Sequence, residues 1–144
     1  MDIKSRSERS ENMSRIRSKD TKPEIIVRRF LYVRGMRYRC NVRSLPGKPD
    51  IAIKKHCLAI FVNGCFWHGH ENCRNFRIPK SNIEFWTKKI FGNLERDKKN
   101  IDLLVSQGYK VITIWECEVE DRDFSKLELA LAYVTEENRL VPNH

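Results

Sequence analysis

The 144 residues contain no apolar run near the roughly 18 to 20 residues that a membrane-spanning helix requires. Residues 1–6 are mostly polar or charged and no apolar stretch follows them, so no secretory signal peptide is predicted. Internal repeats, low-complexity tracts and Gly/Ser-rich linkers are also missing. These absences argue against a membrane protein, a secreted protein and a repeat protein, and they predict one cytoplasmic globular domain.

The five cysteines are an odd number, so they cannot all form disulfides within one chain. In an intracellular protein they indicate metal ligands or buried thiols. Cys40 and Cys57 are predicted to be buried thiols. Hydrophobic residues make up 40% of the chain and charged residues 33%, which is enough apolar material for a core and too much for a disordered chain.

The chain is basic, with a formal net charge of +9. Residues 1–43 hold 13 basic and 5 acidic residues, whereas residues 116–144 hold 3 basic and 8 acidic residues. This distribution indicates a positively charged face for an extended polyanion, of which nucleic acid is the first candidate. A solvated basic surface that only keeps the protein soluble explains the charge equally well.

Apolar periodicity and turn residues predict an α/β fold with a mixed sheet flanked by helices. We expect a basic N-terminal arm over residues 1–20 and a folded domain over residues 21–144. In the first half of the chain, the predicted elements are a helix from a Thr21/Glu24 capping box to near Gly35, a strand over 38–42, and hairpin strands over 51–53 and 57–62. An irregular segment over 63–80 follows. The second half is predicted to contain a helix from a Ser81/Glu84 capping box to about 107, a strand over 110–115, a loop over 116–123 and a helix over 124–136. The apolar stripe of the long helix comprises Trp86, Ile90, Leu94, Ile101 and Leu104.

A cluster of potential metal ligands lies in the irregular segment. Cys65, His68, His70 and Cys73 fall within nine residues, and Cys117 follows the last predicted strand. Three of the cysteines with His70 would form a tetrahedral Cys3His zinc site that ties this segment to the distant strand. Spacing does not decide between His68 and His70, and burial of all five cysteines in the core is the alternative.

Asp50 follows Pro49 directly before an apolar strand, which places its carboxylate at the edge of the sheet. Many magnesium nucleases hold a metal there, with a second acid and then a lysine on the next strand. This chain has Val62-Asn63-Gly64 instead, so that pattern is broken. A single carboxylate binds Mg²⁺ poorly and needs carbonyls, waters and phosphates to complete the octahedron. A plain turn is the alternative for this dipeptide.

Asp97 lies on the apolar face of the long predicted helix, four residues before Ile101. A buried carboxylate needs a partner, and His68 is the candidate if His70 binds zinc. A histidine oriented by a carboxylate is a usable general acid or base, although a structural ion pair fits the pattern as well. Taken alone, Glu24 is interpreted as a capping residue.

Phe66 and Trp67 are adjacent large aromatics in an irregular segment, so both cannot face the core. Apolar wedges of this kind unstack base pairs in proteins that distort DNA. Met13 in the basic arm is a candidate wedge from the other side, with a minor core contact as its alternative.

With these residues in view, the sequence resembles the very short patch repair (Vsr) DNA mismatch endonucleases. The Gly-Cys-Phe-Trp-His and Trp-Glu-Cys segments are highly specific in combination. The resemblance covers most of the chain and is carried by Asn12-Met13, Asp20-Thr21 with Glu24, Leu45 to Asp50, Gly64 to His68, Glu84-Phe85-Trp86, Glu95-Arg96-Asp97 and Trp115-Glu116-Cys117.

The resemblance implies a restriction-endonuclease-like fold with a structural Zn²⁺ and a Mg²⁺-dependent active site. It implies nicking of duplex DNA on the 5′ side of the thymine in a T:G mismatch, which arises when 5-methylcytosine deaminates. The implied partners are mismatched double-stranded DNA and accessory DNA-repair proteins, with a monomer as the expected state.

By matching positions, the resemblance also implies residue roles. Asp50 and the Val62 carbonyl would bind Mg²⁺, and His68 would act as general acid/base. Asp97 would orient His68, and Glu24 would hold metal-bound water near the scissile phosphate. The residues implied to intercalate beside the mismatch are Phe66, Trp67 and Met13. The implied zinc ligands are Cys65, His70, Cys73 and Cys117.

The chain departs from the family pattern at two places. Glu71-Asn72 separates His70 from Cys73 in a loop that varies within the family, and Asn63 stands where other members carry His or Asp. Three other functions fit parts of the pattern: a zinc-stapled DNA-binding module without catalysis, a restriction-like nuclease that cuts intact duplex, and a hydrolase with catalytic zinc. A buried Asp97 paired with a histidine argues against the first, and a four-ligand zinc site argues against the last.

Overall fold

The structure is a computed structural model that describes residues 20–140, with side chains to residue 134. The predicted arm, including Met13, therefore lies outside the described residues except for Asp20. The elements in chain order are α1 (Lys22–Val33), β1 (Arg39–Cys40), β2 (Ile51–Ile53), a 3₁₀ turn (Lys54–His56), β3 (Leu58–Asn63), α2 (Ile83–Ser106), β4 (Lys110–Trp115), α3 (Glu116–Glu120) and α4 (Ser125–Leu140).

The four strands form one mixed sheet, as predicted, and their order in it is β1-β2-β3-β4. The first three strands are antiparallel neighbours, whereas β3 and β4 are parallel and joined by the α2 crossover. Their register pairs Asn63 with Trp115, so both strands end at the same level. The chain segments that follow these two strands consequently start side by side.

The core forms where helices cover the apolar sheet residues. Val27 and Leu31 of α1 and Leu127 of α4 are fully buried against the strands, which contribute residues such as Ile60 and Ile114. Thr21 caps α1 as predicted, since its hydroxyl accepts a hydrogen bond from the Glu24 N–H. None of the described helices has the length and apolar character needed to cross a membrane.

The predicted capping box at Ser81 is wrong. Helix α2 begins at Ile83, and its N-cap Asn82 adopts a left-handed conformation with φ +58° and no side-chain capping bond. Asparagine tolerates this region better than most residues. On the predicted stripe of α2, Ile90 and Leu104 are buried, but Leu94 is 38% exposed.

Two other predictions fail because local backbone geometry overrides the pattern. The strand predicted over 38–42 is reduced to Arg39–Cys40, since Asn41 turns into a left-handed conformation at φ +50°. The loop predicted over 116–123 contains helix α3, in which the Glu118 carboxylate accepts a hydrogen bond from the Trp115 N–H at 2.9 Å. That bond closes a helical turn directly after β4.

The predicted burial of Cys40 and Cys57 is also wrong, because both are exposed. Cys40 ends the short edge strand β1, and Cys57 occupies the left-handed position after the 3₁₀ turn at φ +51°. Both side chains therefore lie at turns rather than in the core.

Residues 64–82, all within the described part of the chain, form no helix or strand and pack against α2. Gly69 of this segment lies directly against α2. Its φ is +59°, and a Cβ at this position would lie 2.8 Å from the Ile90 Cγ2.

We expect Gly69→Ala to lower the free energy of unfolding by about 2–3 kcal/mol, because it adds both backbone strain and a clash. Gly92→Ala on α2 is the matched control, since its Cβ would meet nothing within 4 Å. It should gain about 0.5–1 kcal/mol from helix propensity. Urea unfolding of both variants measures these changes, and an unaltered Gly69→Ala midpoint would contradict the packing.

Candidate active site and metal centre

A cleft of about 860 Å³ opens between the start of α1, the end of β3 and the middle of α2. Its walls bring together residues that are far apart in the sequence but were all predicted from it as functional. They are Glu24, Asp50, Val62, Phe66, Trp67, His68 and Asp97.

Asp50 reaches the cleft from the residue before β2. Antiparallel pairing of Ile51 with Ile60 brings it next to the end of β3, where the Val62 N–H donates to the Asp50 Oδ2 at 2.7 Å. Burial, the largest cause, and the neighbouring Glu24 carboxylate together raise the pKa of Asp50 to about 7, although the hydrogen bond from the Val62 N–H acts in the opposite direction. Asp50 is therefore a half-buried acid beside a second, buried acid.

Glu24 is more than a capping residue. Its carboxylate does not return to the Thr21 backbone. Instead the Glu24 Oε2 accepts a hydrogen bond from the Asp20 N–H at 2.7 Å and another from Arg28 at 3.3 Å. The side chain is 6% exposed and lies beside Asp50 in the cleft. Only the family resemblance implied such a role, because the position of Glu24 depends on how α1 packs against the sheet and its own sequence pattern indicates no more than a cap.

The oxygen atoms around Asp50 suit a divalent cation. The Asp50 and Glu24 carboxylates and the Val62 carbonyl would offer oxygen ligands, which are the ligands that Mg²⁺ prefers. Without a cation the two carboxylates repel each other, and the raised pKa of Asp50 reflects that repulsion as well as burial. A bound cation would remove this penalty.

His68 and Asp97 form the second functional pair in the cleft. The His68 Nδ1 lies 2.5 Å from the Asp97 Oδ2, and each side chain is 30% exposed. A carboxylate at Nδ1 fixes the imidazole orientation and leaves Nε2 available for proton transfer. The structure thus joins His68 to Asp97 rather than to the cysteines.

The face of α2 that carries Asp97 also holds the neighbouring segments in place. One turn earlier, the Asn93 side chain donates to the Trp67 carbonyl at 2.9 Å. One turn later, Asn100 lies against Gly47, where a Cβ would come within 2.8 Å of the Asn100 Cβ. Asn93, Asp97 and Asn100 follow helical spacing, so a polar stripe was visible in the sequence but was not recognised.

Three cations also line the cleft, although sequence analysis did not single them out. They are Lys22 at the start of α1, Lys48 before Asp50, and Arg96 on α2. Charge counts showed that the chain is basic, but they could not show which cations lie near the carboxylates. This mixture suits a site that handles a phosphate group beside a metal.

The Cys/His cluster lies at the ends of β3 and β4. One ligand atom from each of its four residues lies within 4.8 Å of the others, and the Cys117 Sγ is 3.5 Å from the His70 Nδ1. Ligand atoms of a tetrahedral zinc site are roughly 3.3–3.8 Å apart, so small shifts would close the site. The cluster consists of Cys65, His70, Cys73 and Cys117.

Surrounding contacts also suit a metal–thiolate centre. The Cys117 N–H donates to the Cys65 Sγ, and the Asn75 N–H donates to the Cys73 Sγ, both at 3.4 Å. Burial raises the pKa of Cys65 to about 12, whereas the Asn75 bond lowers the pKa of Cys73. The His70 ring stacks on Trp115 with centroids 4.0 Å apart.

The aromatic residues form a cluster beside the cleft. Phe66 and Trp67 are half-buried and pack edge to face, with centroids 5.1 Å apart. Trp86 contacts both rings, and Phe76 contacts Phe66. Trp86 was predicted only as part of the apolar stripe of α2, and the structure instead places it against the candidate wedge.

The chain is similar to known DNA endonucleases over most of its length. A family model described as DNA mismatch endonuclease Vsr matches residues 1–74. The chain is 50% identical over 121 residues to the Type II nicking enzyme V.NmeAIP of Neisseria meningitidis serogroup A / serotype 4A (strain DSM 15465 / Z2491), covering 84% of this chain and 86% of that protein. It is 38% identical over 122 residues to the DNA mismatch endonuclease Vsr of Escherichia coli (strain K12), covering 85% and 78%.

We expect the purified protein to hold one Zn²⁺ per chain, and Cys117→Ala to lose it and to lower the thermal midpoint. Removing one of four ligands opens the site and detaches the segment after β3 from α3. Cys40→Ala is the control, because Cys40 is exposed and outside the cluster. Metal analysis with thermal unfolding tests this, and an unchanged metal content in Cys117→Ala would reject the ligand assignment.

We expect Asp50→Asn to stabilise the protein at pH 8 without added divalent cation. The pKa of Asp50 lies above its ordinary value, so its contribution to stability is present at low pH and is lost as pH rises through about 7. Asparagine removes the charge and keeps an oxygen for the Val62 N–H. The gain should be on the order of 1–3 kcal/mol at pH 8 and near zero at pH 4.

Urea unfolding at the two pH values measures this difference. Asp102→Asn on α2 is the control, because this substitution removes the same charge from an exposed position. Equal stability changes at both pH values would show that Asp50 is not held in an unfavourable charged state.

Proposed function

Because the chain belongs to the Vsr DNA mismatch endonuclease family, we propose that it nicks duplex DNA on the 5′ side of the thymine in a T:G mismatch, in a reaction that depends on Mg²⁺. The chain is a DNA endonuclease with the restriction-endonuclease-like fold of that family. Several relatives are named nicking enzymes, which supports cutting of one strand.

The observation that carries the proposal is the presence of two different pairs in one cleft. Asp50 and Glu24 form an acidic pair in which Glu24 is buried and Asp50 half-buried, and Asp97 orients the His68 ring. A DNA-binding module without catalysis needs neither pair, because phosphate contacts require cations rather than buried acids. Hydrolysis of a phosphodiester uses both.

In this proposal Asp50 and the Val62 carbonyl would hold Mg²⁺, and the bound ion would neutralise charge on the scissile phosphate and help to activate the nucleophile. Glu24 orients a water molecule beside the phosphate. His68 transfers a proton through its Nε2, and Asp97 keeps the Nδ1 protonated and the ring in place. Lys22, Lys48 and Arg96 line the same cleft as the acids, and in this proposal they contact the DNA backbone. The Cys3His cluster holds a structural Zn²⁺.

Mismatch recognition is assigned to the aromatic cluster. Phe66 and Trp67 would insert beside a weakly stacked T:G pair, and Trp86, whose ring contacts both of theirs, would hold them in place. Met13 lies outside the described residues, so its insertion from the arm stays a prediction. Binding through backbone phosphates should weaken as salt rises. The wider proposal includes a cytoplasmic monomer and accessory DNA-repair proteins.

Strand-specific nicking of labelled duplexes tests the function. With Mg²⁺, the protein should cut only the thymine strand of a T:G duplex and leave the T:A control intact. Asp50→Asn should retain binding and lose about 10³-fold or more in rate, because metal neutralisation of the phosphate supplies several kcal/mol.

Equal cutting of the T:A duplex would replace the mismatch proposal with a restriction-like nuclease. Binding without cutting, over duplexes with several different flanking sequences, would favour the DNA-binding module. Full activity of Asp50→Asn would remove Asp50 from the mechanism.

A further inference from the structure

Arg28 lies one helical turn after Glu24 on α1 and bridges two acidic residues. One guanidinium nitrogen is 2.8 Å from the Asp20 Oδ1, and another is 3.3 Å from the Glu24 Oε2. The Arg28 side chain is 16% exposed, whereas the neighbouring Arg29 is exposed to solvent. Arg28 is therefore held inward, against Asp20 and Glu24.

The inward position of Arg28 leaves one of its N–H groups without a hydrogen bond in the described part of the chain, which costs free energy. Among the described residues, the buried Arg28 Nε finds no hydrogen-bond partner. A guanidinium can remain in water easily, so burying it with one N–H unsatisfied requires a compensating interaction. The two carboxylates provide that interaction, and one of them belongs to the candidate active site.

Glu24 needs such a contact, because its carboxylate lies beside that of Asp50 in the cleft. Repulsion between the two negative charges favours rotation of one carboxylate toward water. The Asp20 N–H and the Arg28 guanidinium both bind the same oxygen, the Glu24 Oε2, and so oppose that rotation.

We propose that Arg28 is a positioning residue for the nicking reaction, which holds the Glu24 carboxylate in the cleft and joins it to Asp20. The planar guanidinium contacts the two carboxylates through two different nitrogens in a fixed geometry, whereas an ammonium group would have to contact both through a single nitrogen. Arg28 thereby links Asp20, the first residue that the structure describes, to an acid beside the proposed metal site. This role rests on the proposed function of Glu24.

The test compares Arg28→Met with Arg29→Met, which removes the same charge from the solvent side of the same helix. Arg28→Met should lower the nicking rate on T:G duplex by about 10- to 100-fold, as loss of an outer partner of a metal site does. The Mg²⁺ concentration for half-maximal rate should rise, while duplex affinity should match that of Arg29→Met. Arg28→Lys should recover only part of the rate.

A double variant separates positioning from folding. If Arg28 acts through Glu24, then Glu24→Gln/Arg28→Met should have the same rate as Glu24→Gln alone. A double variant much slower than either single variant would overturn the proposal, as would a rate loss in Arg28→Met that disappears at a temperature well below its thermal midpoint.

The nicking rate of Glu24→Gln alone separates the proposed role of Arg28 from the proposed endonuclease function. A fully active Glu24→Gln would remove Glu24 from the mechanism and overturn this role of Arg28, while continued T:G nicking would leave the endonuclease proposal standing. A slow Glu24→Gln with a fully active Arg28→Met would overturn only the role of Arg28.

Discussion

The pairings of strand β3 are the constraint on which both candidate sites depend. On one side, antiparallel pairing with β2 brings Asp50 to the Val62 N–H. On the other side, parallel pairing with β4 sets Asn63 opposite Trp115 and brings the two following segments together. A shift of one residue in either register would separate Asp50 from Val62 or Cys65 from Cys117 and would turn apolar strand residues away from the core.

Much of the site could be predicted from the sequence because its signals are local. Potential metal ligands within nine residues are a short-range pattern, and so is the helical spacing that indicated a partner for Asp97. The burial expected for Asp97 is only partial, since its side chain is 30% exposed. The structure brings His70 to the cysteines and His68 to Asp97, a choice that spacing had left open. The mixed sheet followed in the same way from runs of β-branched residues and from turn residues.

What could not be predicted depends on contacts between distant elements. The position of Glu24 beside Asp50 requires α1 to pack on the sheet, and nothing within one turn of α1 encodes that distance. The exposure of Cys57 and the early end of β1 depend on left-handed residues, which a propensity argument assigns poorly outside glycine. Helix α3 was missed because its starting bond comes from a single glutamate side chain, Glu118.

The sequence separation within the cysteine cluster also has a consequence for biosynthesis. A growing chain releases Cys65, His70 and Cys73 well before Cys117, which at about 5–20 residues per second means an interval of several seconds. During that time a captured ion would keep an open coordination position. The fourth ligand arrives directly behind β4, the strand that completes the sheet. Full coordination and completion of the sheet would therefore occur together as one late step, and an ion bound by all four residues would indicate that β4 has paired with β3.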